Sequence, residues 1–225
     1  MKKNHVYYFD FLRLISAIGV IYMHVAAGPL RKTINLGWHG INIITCFAFT
    51  AVPLFIMMSG YLILNSEKTA DISFLFKKRL PHLIVPLAGW TVVAVLWKMI
   101  LNNNFSFRAL YDGLVSSLSE PAWVHFWYMY TLIALYLLSP FIYGALNSLD
   151  KKGHIVVLTI IALISIRTIL KIFLPDFLLG FLDIDILNKL TIYNGTLAMF
   201  ILGFYLGKLK IKIPNFILIS ASIIV

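Results

Sequence analysis

The hydrophobic pattern of this chain consists of long apolar stretches separated by short polar loops. Six of these stretches reach the roughly 17 to 25 residues that a helix needs to cross a bilayer. A shorter apolar stretch runs from Asn215 to Val225, about half of a crossing length. The six longer stretches are Phe9–Gly28, Ile41–Leu64, Leu83–Leu101, Trp127–Leu146, Ile155–Leu174 and Tyr193–Leu209. The pattern predicts an all-α polytopic transmembrane helix bundle with six full spans and a partial seventh.

Lysine and arginine residues are divided unequally between the two sides that alternate loops define. The N-terminus and the loops on its side, including Asn65–His82, carry most of them. Because cytoplasmic loops carry an excess of lysine and arginine, we expect a multi-pass protein of the cell membrane with a cytoplasmic N-terminus. In this orientation the loop Asn102–Phe126 lies outside the cell.

Composition narrows the class of protein further. Hydrophobic residues make up 60% of the chain and charged residues only 12%, which excludes soluble globular and disordered proteins. The net charge of +10 is explained by basic cytoplasmic loops, and no basic run is interleaved with aromatic residues. We therefore expect membrane lipids, but no nucleic acid, as partners. The single cysteine, Cys46, cannot form an internal disulfide, and we expect no metal site.

The first span contains ionisable residues that a membrane-crossing helix ordinarily lacks. Asp10, Arg13 and His24 all lie within it, and each charge inside a span costs about 3 kcal/mol or more. At about 100° per residue, Arg13 and His24 leave the same face of the helix, about 16 Å apart along its axis. Asp10 stands three residues before Arg13 and is close enough to pair with it. This face is expected to point into the bundle, either as a functional site or as a polar network that serves helix assembly.

A compact basic group closes the loop before the third span. The simpler interpretation is attraction to anionic lipid at the cytoplasmic face. The alternative is a site for a phosphorylated cytosolic ligand, since arginine and lysine side chains bind phosphate oxygens. Pro81 and Pro86 are expected to break the regular helix there and to turn backbone donors toward the same place. The members of the group are Lys77, Lys78, Arg79 and His82.

The longest external segment, Asn102–Phe126, contains a helical pattern. Apolar residues recur at helical spacing over Ser106–Ser119, which predicts a helix lying along the membrane surface. Its aromatic and polar side chains also suit an acceptor such as a sugar. His125 closes the segment and is interpreted either as a solvated interfacial residue or as part of a site.

Four segments carry distinctive combinations of residues. They are FDFLRLISAIGVIYMHV with Arg13 and His24, VPLFIMMSGYLI with Ser59, Gly60 and Tyr61, FLFKKRLPHLIVPL with the basic group, and HFWYMYTLIALYLLSPF with His125, Trp127 and Tyr128. In this order they resemble the acyltransferase-3 family of integral membrane O-acyltransferases, whose members modify cell-surface polysaccharides, peptidoglycan and lipopolysaccharide. His82 departs from the family pattern, which often has arginine at this position. Family members generally have about ten spans, so we expect residues 1–225 to be a single acyltransferase domain whose C-terminal part is missing.

The resemblance implies transfer of an acyl group, foremost acetyl, from cytosolic acyl-coenzyme A to a hydroxyl of an extracytoplasmic glycan or other cell-envelope acceptor. Acyl-coenzyme A would be a donor substrate, with no bound cofactor. Histidine ordinarily titrates near neutrality, so His24 suits a general base, and an acyl-histidine intermediate is the alternative. Arg13 would hold the donor, and the basic group would gather its nucleotide end. The resemblance and the spacing together assign substrate-binding or supporting roles to Asp10, Ser59, His125, Trp127 and Tyr128.

Two other classes of function stay open on the sequence alone. Intramembrane arginine and histidine also line the translocation paths of transporters, so an exporter of polysaccharide or lipid-linked glycan is one alternative. A membrane-anchoring or sensing module of a larger protein is the other.

Overall fold

The computed structural model describes residues 7–28, 36–173 and 195–208. Every regular element within these ranges is helical, which confirms the predicted all-α class. Four short helical elements lie among the described residues: a 3-10 turn over Glu67–Ala70, α4 over Ile72–Phe74, a π-helical turn over Leu75–Arg79 and a 3-10 turn over Val124–Phe126. The longer helices are α1 (Tyr7–Ala26), α2 (Leu36–Ala48), α3 (Ala51–Leu64), α5 (Pro81–Leu101), α6 (Phe107–Ser116), α7 (Trp127–Ser148), α8 (Lys151–Phe173) and α9 (Thr196–Lys208).

Four segments of the described residues are long and apolar enough to cross a membrane, and they match the first four predicted spans. They are Phe9–Ala26, Gly37–Leu64, Ile72–Leu101 and Val124–Ser148. α8, with 23 residues, covers most of the fifth predicted span, and α9, with 13, covers the described part of the sixth. The predicted seventh segment, Asn215–Val225, lies outside the described residues. The total of six full spans therefore stays a prediction.

The second span is interrupted rather than continuous. α2 ends at Ala48 and α3 begins at Ala51, and the N–H group of Thr50 donates to the carbonyl of Phe47 at 3.1 Å in a tighter turn. Pro53 explains the position of the break, because a proline ring clashes with the carbonyl four residues earlier, here that of Phe49, and cannot donate to it. The predicted span Ile41–Leu64 is thus built from two consecutive helices within one membrane-crossing segment, Gly37–Leu64.

The third span begins earlier than predicted, in a wide turn. Leu75–Arg79 form a π-helical turn, closed by the N–H group of Leu80 donating to the carbonyl of Leu75 at 2.9 Å. Pro81 is the first residue of α5, where its missing N–H group costs little. Pro86 lies inside α5 without ending it, as membrane helices often permit. The expected break at Pro86 is therefore wrong, and the basic group lies on helical turns rather than in an open loop.

α3 and α9 pack so closely that their backbones touch. A Cβ atom added to Gly60 would lie 1.9 Å from the carbonyl oxygen of Phe200, and one added to Gly203 would lie 2.1 Å from that of Met57. Small residues allow this approach between membrane helices. The same interface buries Ile56, Leu64, Phe200 and Phe204. The position of α9 is thus determined by the absence of side chains at two glycines.

Replacing Gly203 by alanine should separate α3 from α9, because the new methyl group collides with backbone that cannot rotate away. We expect a loss of about 1 to 3 kcal/mol, the usual cost of overpacking, seen as a lower thermal midpoint of the detergent-solubilised protein. Gly144→Ala is the matched control, since no atom lies within 4 Å of an added Cβ there. Equal midpoints for the two variants would contradict this account of the interface.

Candidate functional site

A cavity of about 790 Å³ opens where α1 ends, α7 begins and the α2–α3 break lies. Most of its wall is apolar, contributed by side chains such as Val20, Val52, Phe55 and Met199. The N-terminus of α9 closes one side with Thr196. We call this space the histidine cavity after the polar groups that face it, which are His24, Thr45, His125, Trp127, Tyr128 and Thr196.

Two histidines from distant parts of the chain meet in the cavity. The ring centroids of His24 and His125 lie 5.4 Å apart, edge to face at 70°. His24 belongs to the last turn of α1, an end that favours positive charge because of the helix dipole. His125 lies on the short 3-10 turn before α7 and also contacts the rings of Trp123 and Phe126. His125 is thus part of this site and not an isolated interfacial residue.

The start of α7 brings two further predicted residues to the same place. Trp127 and Tyr128 both line the cavity, and the ring of Tyr128 lies 6.1 Å from that of Phe55 across the wall. Trp127 is exposed and Tyr128 is half-buried. The structure therefore assembles four predicted site residues, from two sequence segments, around one space.

Arg13 is not among the residues that line the histidine cavity. It lies on the same uninterrupted helix as His24, about 16 Å away along the axis. Its Nη1 atom donates to Oδ1 of Asp10 at 3.2 Å, which confirms the predicted pairing, and both side chains are about half exposed, at 48% and 49%. Arg13 thus occupies the opposite end of α1 with its charge partly neutralised.

A series of polar side chains lies between the two ends of the site. The Ser59 side chain lies near the hydroxyls of Tyr128 and Tyr136, and Tyr136 is within electrostatic reach of Arg13 and Arg79. We call Arg79, Tyr136, Ser59 and Tyr128 the polar track. It runs from Arg79 of the basic group to Tyr128 in the wall of the histidine cavity.

Tyr136 was missed by the sequence reasoning. A signal for it existed, because it follows Tyr128 by about two helical turns on α7, and a half-buried tyrosine hydroxyl needs a hydrogen-bond partner. Ser59, which lies near this hydroxyl, belongs to another helix, and no local pattern relates the two.

The four residues of the basic group do not act as one cluster. Arg79 is half-buried, and its Nη1 atom donates to Oγ1 of Thr69 at 2.7 Å, while the hydroxyl of Thr69 donates to the carbonyl of Ile63. Lys77 and Lys78 are exposed. The ring of His82 contacts the carbonyl of Lys78 through Nδ1. Only the two lysines are therefore presented freely to a ligand, and Arg79 is turned into the bundle.

No group of three or more His, Cys, Asp or Glu side chains within the described ranges is arranged to hold a metal ion. Among the residues singled out from the sequence, Arg13, Lys77 and Lys78 carry cationic groups of the kind that bind phosphate oxygens.

Comparison with known proteins supports the resemblance found in the sequence. The acyltransferase-3 family model, described as an acyltransferase domain, matches residues 6–225. The chain is also similar to nodulation protein NolL of Sinorhizobium fredii (strain NBRC 101917 / NGR234), with 26% identity over 178 residues. That alignment covers 77% of this chain and 47% of the relative, so the chain spans about half the length of the curated relative it matches. No solved structure matches the chain. Because the family model covers nearly every residue, the chain belongs to the acyltransferase-3 family.

Proposed function

We propose that this protein moves an acyl group, acetyl in the first instance, from cytosolic acyl-coenzyme A to a hydroxyl of an extracytoplasmic glycan or other cell-envelope acceptor. The observation that carries the proposal is the His24–His125 pair inside an apolar-walled cavity. A base is needed there because a sugar hydroxyl is a poor nucleophile until its proton is removed. Apolar walls favour the transfer because they keep competing water from the thioester.

The proposed step is a direct acyl transfer. His24 accepts the proton of the acceptor hydroxyl as its oxygen attacks the thioester carbonyl. The tetrahedral intermediate collapses by breaking the carbon–sulfur bond, and the departing thiolate takes the proton back from His24 to become the coenzyme A thiol. Tyr128, whose side chain lines the same cavity, can donate a hydrogen bond to the oxyanion. His125 supports the ring of His24 from the side.

The donor enters from the opposite end of the bundle in this proposal. Lys77 and Lys78 bind its phosphates at the cytoplasmic face, where both are exposed. Arg79 and Arg13 support the polar track, along which the acylated arm of the donor approaches the cavity. His82 lies next to the lysines through its contact with the Lys78 carbonyl and has a lesser part in binding.

Replacing His24 by alanine should lower acyl transfer by about 10²- to 10⁴-fold, the usual contribution of a positioned base. The measurement is transfer of label from radioactive acetyl-coenzyme A to an envelope glycan fraction, using membranes that contain the protein. His39→Ala is the matched control, because His39 is exposed on α2, contacts Trp38 and does not line the cavity.

Full acyl-transfer activity of His24→Ala would contradict the proposed mechanism. Glycan movement across the membrane without consumption of donor would instead favour a transporter. Label that stays bound to the wild-type protein after rapid denaturation in detergent at neutral pH, and is absent from His24→Ala, would replace direct transfer by an acyl-histidine intermediate.

Replacing Lys77 and Lys78 together by glutamine should raise the KM for acetyl-coenzyme A about tenfold, because each exposed ion pair with a phosphate is worth up to about 1 kcal/mol and about 1.4 kcal/mol corresponds to tenfold. The kcat value should change little, since neither lysine reaches the reacting atoms. Lys151 and Lys152, exposed at the start of α8, provide a control pair of equal charge. The same rise in KM for both pairs would indicate a general surface-charge effect and not a donor site.

A further inference from the structure

A second cavity lies on the face of the bundle that carries α6. It has a volume of about 230 Å³ and lies between the C-terminal end of α5 and α6. Val95 and Ala122 form a buried apolar floor, and the rim carries Lys98, Asn102 and Glu120. We call it the α6 cavity. Neither the family match nor the proposed chemistry assigns it a role.

Close packing of α6 against α5 builds this cavity. Ser106 begins α6 by accepting a hydrogen bond from the N–H group of Ala109 at 3.1 Å. Leu110 and Leu114 then pack against the apolar floor. A Cβ atom added to Gly113 would lie 2.6 Å from Cγ1 of Val95, so the helices touch at this point. The cavity is therefore a recess between two packed helices and not a gap under a loose loop.

The polar groups on its rim are ready to bind a ligand. Within the described part of the chain, no hydrogen bond or ion pair engages the side chains of Lys98, Asn102 and Glu120 with other described residues. Together they present an ammonium, an amide and a carboxylate, with no net charge. A sugar ring matches this set, because its hydroxyls donate to a carboxylate and accept from an ammonium or an amide. The volume lies below the roughly 300 to 1,000 Å³ of pockets for drug-sized molecules, which limits the bound part to about one ring.

The α6 cavity and the histidine cavity share a stretch of chain. Ala122 lines the first and His125 lines the second. Three residue steps separate their Cα atoms, so these lie at most about 11 Å apart. Trp123, between them, is 40% exposed, and its ring centroid lies 5.3 Å from that of His125. A glycan chain lying over Trp123 would therefore reach both cavities.

We infer that the α6 cavity binds one sugar ring of the acceptor and so holds the hydroxyl of a neighbouring ring at His24. This inference rests on the proposed function and names its acceptor as a glycan of at least two rings, recognised through uncharged hydroxyls. Lys98, Asn102 and Glu120 are its binding residues. None of them takes part in the chemical step.

The first test is direct binding. Saturation-transfer difference NMR on the purified protein, with methyl glycosides of glucose, galactose, mannose and N-acetylglucosamine as probes, should show saturable binding of at least one. Glu120→Gln and Asn102→Ala should each weaken it about tenfold, the effect of losing about 1.4 kcal/mol of hydrogen bonding. Asp112→Asn and Arg108→Gln are the matched controls, because these two residues pair with each other at 3.7 Å on the exposed side of α6 and do not line the cavity.

The second test is kinetic and separates this inference from the proposed function. With labelled acetyl-coenzyme A and a glycan acceptor, Glu120→Gln should raise the KM for the acceptor while leaving the KM for the donor and the thermal midpoint unchanged. Absence of saturable binding by every glycoside, or equal effects of Glu120→Gln and Asp112→Asn, would overturn the inference. If the wild-type protein transfers no label but binds a glycoside, and Glu120→Gln weakens that binding, the proposed chemistry is contradicted and the sugar site is supported.

Discussion

Every strongly polar side chain inside a hydrocarbon layer must find a partner or face a water-filled space, and the arrangement around α1 follows from this constraint. Arg13 meets Asp10 one turn earlier on its own helix. His24 has no such neighbour in its turn and instead meets His125 from the segment before α7. The Arg13–Asp10 contact lies within α1. The His24–His125 contact instead requires α7 to start beside the end of α1.

Prolines shape the site in opposite ways at two places. Pro53 interrupts the second span and so brings the α2–α3 break, with Phe49, to the wall of the histidine cavity. Pro86 leaves α5 continuous, and the wide turn Leu75–Arg79 comes before Pro81 instead. That turn carries Arg79 toward Thr69 while the neighbouring lysines stay exposed. This one wide turn thus gives three adjacent cations two different environments.

Features that depend on neighbours along the chain could be predicted from the sequence. The spans follow from apolar length, the Asp10–Arg13 pair follows from helical spacing, and the surface helix α6 follows from its amphipathic pattern with Ser106 as its cap. The approach of His24 to His125 could be inferred only through the family resemblance, because the two residues lie on helices that are far apart in the sequence.

Features that depend on tertiary packing could not be predicted. The contact of Ser59 with Tyr136, the inward turn of Arg79 and the recess beside α6 all join segments whose relative position no local periodicity encodes. The expected break at Pro86 failed because whether a proline breaks a membrane helix depends on how surrounding groups satisfy the freed backbone.

Ser59 and Gly60 are consecutive residues of α3, so their side-chain directions differ by about 100° around the helix axis. Ser59 faces the tyrosine hydroxyls of α7, and Gly60 packs directly against the backbone of α9. If α3 rotated about its axis, it would break the hydroxyl contacts and push a larger neighbouring side chain into Phe200 at the same time. The Ser–Gly dipeptide therefore fixes the rotation of α3 about its own axis. The direction of the Ser59 side chain inside the bundle is set by Gly60, a residue that has no side chain.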